Sequence, residues 1–121
     1  MVINNNPIAD ITRLASSIHT TRAILRARLK AIAGSLPQIP EPINQTVWLT
    51  DSPHYGKIEL SISNLGMRVC HTQFKTQYWH LEDVPADLIK LAATKVEELL
   101  TKLQEVLAAT EKEEVALAGR L

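Results

Sequence analysis

The sequence predicts an α+β domain, a small antiparallel β-meander of three or four strands flanked by a long N-terminal and a long C-terminal amphipathic helix. Three observations predict it. Apolar residues recur at helical spacing near both ends of the chain, the middle is β-branched and alternating, and a proline-dense stretch separates the first helix from the strands.

The first helix is expected over about residues 7–33. Asn6 supplies a side-chain oxygen for the free N–H groups of the first turn, and Pro7 at the first helical position gives up no hydrogen bond. Ile8, Ile11, Leu14, Ala15, Ile18, Leu25, Leu29 and Ile32 then mark one face. Gly34 and Pro37 end it, after about 40 Å of helix. Residues 35–45 contain Pro37, Pro40 and Pro42 and read as an extended connector that crosses the body.

Strands are expected across about 46–82. Thr46–Asp51 is β-branched and aromatic, and Lys57–Ser63 alternates strictly. Met67–Phe74 and Gln77–Leu81 complete the meander. Asp51–Gly56 forms a loop and Asn64-Leu65-Gly66 a hairpin turn. Phe74–Gln77 has weaker turn chemistry, because it offers no Gly or Asn for a positive φ. The last helix is expected over about 85–118, started by Pro85 with Asp87 in its first turn and stopped near Gly119. Its stripe of Ile89, Ala92, Val96, Leu99, Leu103 and Val106 is the clearest periodicity in the chain and fails beyond Leu107.

Length and composition set the function classes. The 121 residues suit one domain, expected to span 1–121, and 45% apolar against 21% charged residues indicates a folded chain. Thirteen bases balance thirteen acids, which argues against a whole-surface nucleic-acid binder and a polybasic membrane protein. One cysteine, Cys70, allows no intramolecular disulfide. No apolar run reaches transmembrane length and no signal pattern opens the chain, so the expectation is a cytoplasmic protein with no membrane partner.

The zero net charge conceals a segregation. Residues 1–35 carry Asp10 against Arg13, Arg22, Arg26, Arg28 and Lys30, whereas residues 82–121 carry nine acids against five bases. The simplest expectation is that the helices pack on each other or flank one core, with opposite charges along the seam; pairing between subunits is the intermolecular variant. Arg22, Arg26 and Lys30 step by four and form a ridge, with Arg28 further round. That ridge is a candidate partner surface, and a nucleic-acid one as a second reading, although no aromatic residues interleave with it.

The catalytic signatures of phosphate-binding loops, nucleophile elbows, zinc proteases and Cys-x-x-Cys centres are missing, and no cofactor is implied. One constellation could hold a metal. A two-residue turn at Lys75-Thr76 sets His71 opposite His80 on one sheet face. Glu59 joins them only if Asn64-Leu65-Gly66 is a three-residue loop; a two-residue turn brings Leu60 opposite His71 instead. The Asp51–Gly56 tip, with His54 and Tyr55, is a further candidate contact. With few aromatic core fillers and two long amphipathic helices, the chain is expected to self-associate, most simply as a two-fold dimer. The reading that follows is a non-enzymatic protein-interaction module, such as a regulatory adaptor, inhibitor or assembly component. Nucleic-acid binding through the basic helix and a metal-binding or enzymatic site at His71 and His80 are the alternatives.

Overall fold

The structure, a computed structural model, describes residues 6–74 and 77–121. Its elements run α1 (Pro7–Ser35), β1 (Gln45–Ser52), β2 (Gly56–Ser63), β3 (Gly66–His71), β4 (Tyr78–Trp79) and α2 (Ala86–Ala118). The strands form one antiparallel sheet in the order β1-β2-β3-β4. This is the expected α+β class, with a helix at each end of a meander.

Alternation along β2 sorts its side chains. Ile58, Leu60 and Ile62 are fully buried on one face, where Val47 and Leu49 of β1 and Met67 and Val69 of β3 join them. Leu88, Ile89, Ala92, Val96, Leu99 and Leu103 of α2 cover this face, packing on β1 and β2. Tyr55 meets Asp87 at one end and Lys102 lies near Thr46 at the other, so α2 runs antiparallel to β1.

The hairpin turns fix the register. Gly56 (φ 78°) and Gly66 (φ 90°) take the positive φ that other residues avoid. Ser63 pairs with Gly66, so the β2–β3 loop is Asn64-Leu65, and His71 sits opposite Ile58. Neither expected pairing of His71, with Glu59 or with Leu60, is formed. The observed register is the one that places Ile58, Leu60 and Ile62 beside Met67 and Val69. A one-residue slip would turn that set outward.

The last hairpin also differs from expectation. Cys70 pairs with Tyr78 and Val69 with Trp79, so β3 ends at His71 and β4 has two residues. The expected turn residues Lys75 and Thr76 lie outside the described residues. Around them, Gln77 N–H donates to the Phe74 carbonyl at 2.8 Å and His71 N–H to the Gln77 carbonyl at 3.0 Å. A tight two-residue hairpin needs positive φ, which Gly or Asn supplies most readily, and the described pairing sets His71 beside Gln77 and not beside His80.

The connector runs from Leu36 to Asn44 without helix or strand and turns at Glu41-Pro42. Ile39 is buried, and the Gln38 amide and the Glu41 carboxylate both hold Asn64 at the β2–β3 tip, at 3.0 and 2.6 Å. The Glu41-Pro42 peptide is cis.

The two long helices are only partly absorbed by this core. In α1, Leu29 is buried and Leu25, Ile32 and Ala33 pack against the core, but every residue from Pro7 to Ile24 is exposed. In α2 the buried stripe stops at Leu103, with Leu107 half-buried. The helix continues to Ala118 with Val115 and Leu117 exposed. Among the described residues no helix is long and apolar enough to cross a membrane.

Candidate functional site

The basic ridge of α1 is divided between structure and solvent. The Arg26 guanidinium donates to the Leu81 carbonyl at 2.5 Å and to the Val84 carbonyl at 2.7 Å. Leu81 and Val84 are buried and lie between β4 and α2, so Arg26 ties α1 to the segment that leads into α2. One turn on, Lys30 lies 3.7 Å from Glu82. Arg22 and Arg28 are exposed. Among the described residues no ion pair joins α1 to α2 itself. The remaining pairs between described residues, Arg13 with Asp10 and Lys95 with Glu98, each lie within one helix. The helices do pack together, but the opposite charges do not line their seam.

The Asp51–Gly56 tip is a tight hairpin end. Ser52 pairs with Gly56, and the Ser52 hydroxyl accepts the Tyr55 N–H at 2.9 Å. This turns Tyr55 back over the core face. Its hydroxyl donates to Asp87 at 3.0 Å, and its ring meets Trp79 edge-on at 6.0 Å and His54 at 4.5 Å. The half-buried setting, and then the hydrogen bond to Asp87 and its charge, hold the Tyr55 phenol above its ordinary 10.0. His54 remains exposed at the tip.

The register separates the two histidines proposed as metal ligands. His71 lies on the face of Val69 and stacks on Trp79 at 5.6 Å. His80 follows β4 and its ring meets that of Tyr78 at 5.3 Å, on the opposite face. The expected facing pair is therefore not formed, and Glu59, which is opposite Cys70, does not join His71. Among the described residues no group of three His, Cys, Asp or Glu is placed to hold a metal ion.

Two surfaces escape a reading by sequence alone. The first is the outer sheet face, where successive registers align Trp48, Glu59, Cys70 and Tyr78 in one row. Trp48 and Tyr78 at its ends are exposed, while Glu59 and Cys70 between them are buried, with Cys70 Sγ 3.7 Å from Glu59 Oε1. The Arg68 guanidinium lies 4.3 Å from the centre of the Tyr78 ring. The alternation in Lys57–Ser63 places Glu59 off the core face, but only the register tells which residues share its row.

The second surface is the free part of α1. Ile8, Ile11, Leu14 and Ile18 are 74%, 64%, 49% and 49% exposed, although they belong to the same stripe as the packed Leu25, Leu29 and Ile32. The side chains at positions 8, 11, 15, 18, 22, 25, 29 and 32 alternate steps of three and four, as in a helix–helix seam. The C-terminal part of that seam is filled within the subunit and the N-terminal part is open. Periodicity marks the stripe but says nothing of where the body ends beneath it.

Comparison of the chain with protein-family models, with curated protein sequences and with solved structures found no match.

Proposed function

We propose that this chain is a non-enzymatic protein-interaction module, a regulatory adaptor, inhibitor or assembly component, that works in the cytoplasm as a homo-oligomer. The observation that carries this reading is the α1 arm, about 27 Å of helix from Pro7 to Ile24 whose apolar stripe faces solvent. Helical segments without tertiary packing are marginal in water. An arm capped by Asn6 and continued from a docked helix gains stability when its stripe is covered. Fully burying an Ile or Leu side chain is worth about 1.5–3 kcal/mol. Four such side chains, from about half to three-quarters exposed, therefore supply a substantial driving force for association.

The polar groups of the molecule support a binding role over catalysis. Arg26 and Lys30 are engaged with the segment before α2, and Tyr55 and Asp87 satisfy each other. Arg22 and Arg28 are what remains of the basic ridge for a partner, with the His54 tip as a second contact.

The test is the oligomeric state. Static light scattering or native mass measurement at tens of micromolar is expected to give a dimer. Ile11→Lys, which puts a positive charge in the middle of the open stripe, is expected to give a monomer with undiminished far-ultraviolet helicity. A wild-type chain that stays monomeric over that range overturns the reading.

A further inference from the structure

We infer that a second copy of the chain covers the α1 arm, and that the two arms pair antiparallel about a two-fold axis between Ser16 and Ser17. The inference rests on the homo-oligomeric reading above and adds the surface, direction and register.

The open seam continues one that is already filled within the subunit. Leu25, Leu29 and Ile32 pack on the core, and Ile8, Ile11, Ala15 and Ile18 extend the same stripe past its edge. A helix laid along the arm therefore prolongs an existing interface. Charge chooses its direction. Asp10 is the one acid in residues 1–35; of the five bases, Arg13 lies beside it and Arg22, Arg26, Arg28 and Lys30 lie toward the other end of the helix. A parallel pair would set Arg22 against Arg22 and Asp10 against Asp10. An antiparallel pair sets Asp10 of each copy beside Arg22 of the other.

The surface at the base of the arm fits the tip of another. Ser17, Ile18, Thr21, Arg22, Leu25 and Lys90 line a groove of about 280 Å³ where α1 meets the start of α2. Its floor is apolar and its two cations are Arg22 and Lys90. The arm tip presents apolar Ile8 and anionic Asp10, whose weak contact with Arg13, 3.9 Å away, is largely exposed. With the axis between Ser16 and Ser17, Ile8 of one copy faces Leu25 of the other, Ile11 faces Arg22, and Ala15 faces Ile18. Each large side chain at the centre of the seam thus meets a small one, and the Arg22 stem lies over Ile11 while its head reaches Asp10.

Disulfide trapping tests both direction and register. Ile11→Cys and Arg22→Cys variants, co-expressed with different tags, are expected to form a mixed 11–22 disulfide on mild oxidation. Either variant alone is expected to stay unlinked. Residues 11 of the two antiparallel copies lie about 16 Å apart along the axis, beyond the roughly 7 Å that a disulfide spans between Cα atoms. Wild type, with Cys70 only 2% exposed, is the blank. If Ile11→Cys links to itself and the mixed pair does not form, the arms are parallel; the inference falls and the homo-oligomer stands. If light scattering gives a dimer in which neither link forms, another surface holds it, and the inference falls again. A monomeric wild type overturns both.

Discussion

At the scale of single residues, Arg26 shows how a side chain that looks like a ligand contact becomes a structural one. Its two hydrogen bonds satisfy the carbonyls of Leu81 and Val84, both buried residues. Arg26→Met removes both donors, at about 1–3 kcal/mol for each carbonyl left unpaired. Urea unfolding is expected to show a loss of about 2–6 kcal/mol for Arg26→Met. Arg28→Met, at an exposed site, should stay within about 0.5 kcal/mol of wild type. Tyr55 offers a second test, with a definite sign. Its folded phenol is held above the ordinary 10.0, so its contribution to stability is fully present below that pH and is lost as pH climbs through the raised value. Melting temperatures measured across the alkaline range should therefore fall less steeply for Tyr55→Phe than for wild type. Asp87→Asn should lower the pH at which Tyr55 ionises, read from its phenolate absorbance. Neither Arg26's partners nor Asp87 was legible beforehand, because contacts across tens of residues depend on how the loop before α2 folds under α1.

At the scale of elements, what could be read followed periodicity and turn chemistry. The α2 stripe from Ile89 to Leu103 is buried as its spacing indicates, because one face of a long helix must cover the sheet. Leu99, fully buried within it, is expected to cost about 2–5 kcal/mol on Leu99→Ala by urea unfolding. The Asn6–Pro7 start of α1 was equally legible, since capping is local. Asn6 accepts from Ile8 and Ala9 N–H at 3.0 and 3.3 Å. Register was not. The pairing of His71 with Ile58, and the parting of His71 from His80, turned on single-residue choices at two turns, decided by which set of side chains the core face takes. With the two imidazoles on opposite faces, His71→Ala is expected to leave Zn²⁺ or Ni²⁺ binding unchanged in a titration.

For the whole molecule, the open seam of α1 outweighs the charge segregation that the sequence presents more plainly. Among the described residues, the bases of the first helix form no ion pair with the acids of the last within the subunit. The two long helices each outrun the core that anchors them, α1 before Leu25 and α2 after Leu107. Composition foretold excess apolar surface, but its location depends on where a four-stranded sheet of short strands ends. Sedimentation velocity of wild type beside Ile11→Lys, at tens of micromolar, tests the central claim most directly. A dimer is expected for wild type and a monomer with the same docked core for Ile11→Lys, whose new charge would meet Arg22 of a second copy. Two identical monomers, or a dimer indifferent to Ile11→Lys, would contradict the claim.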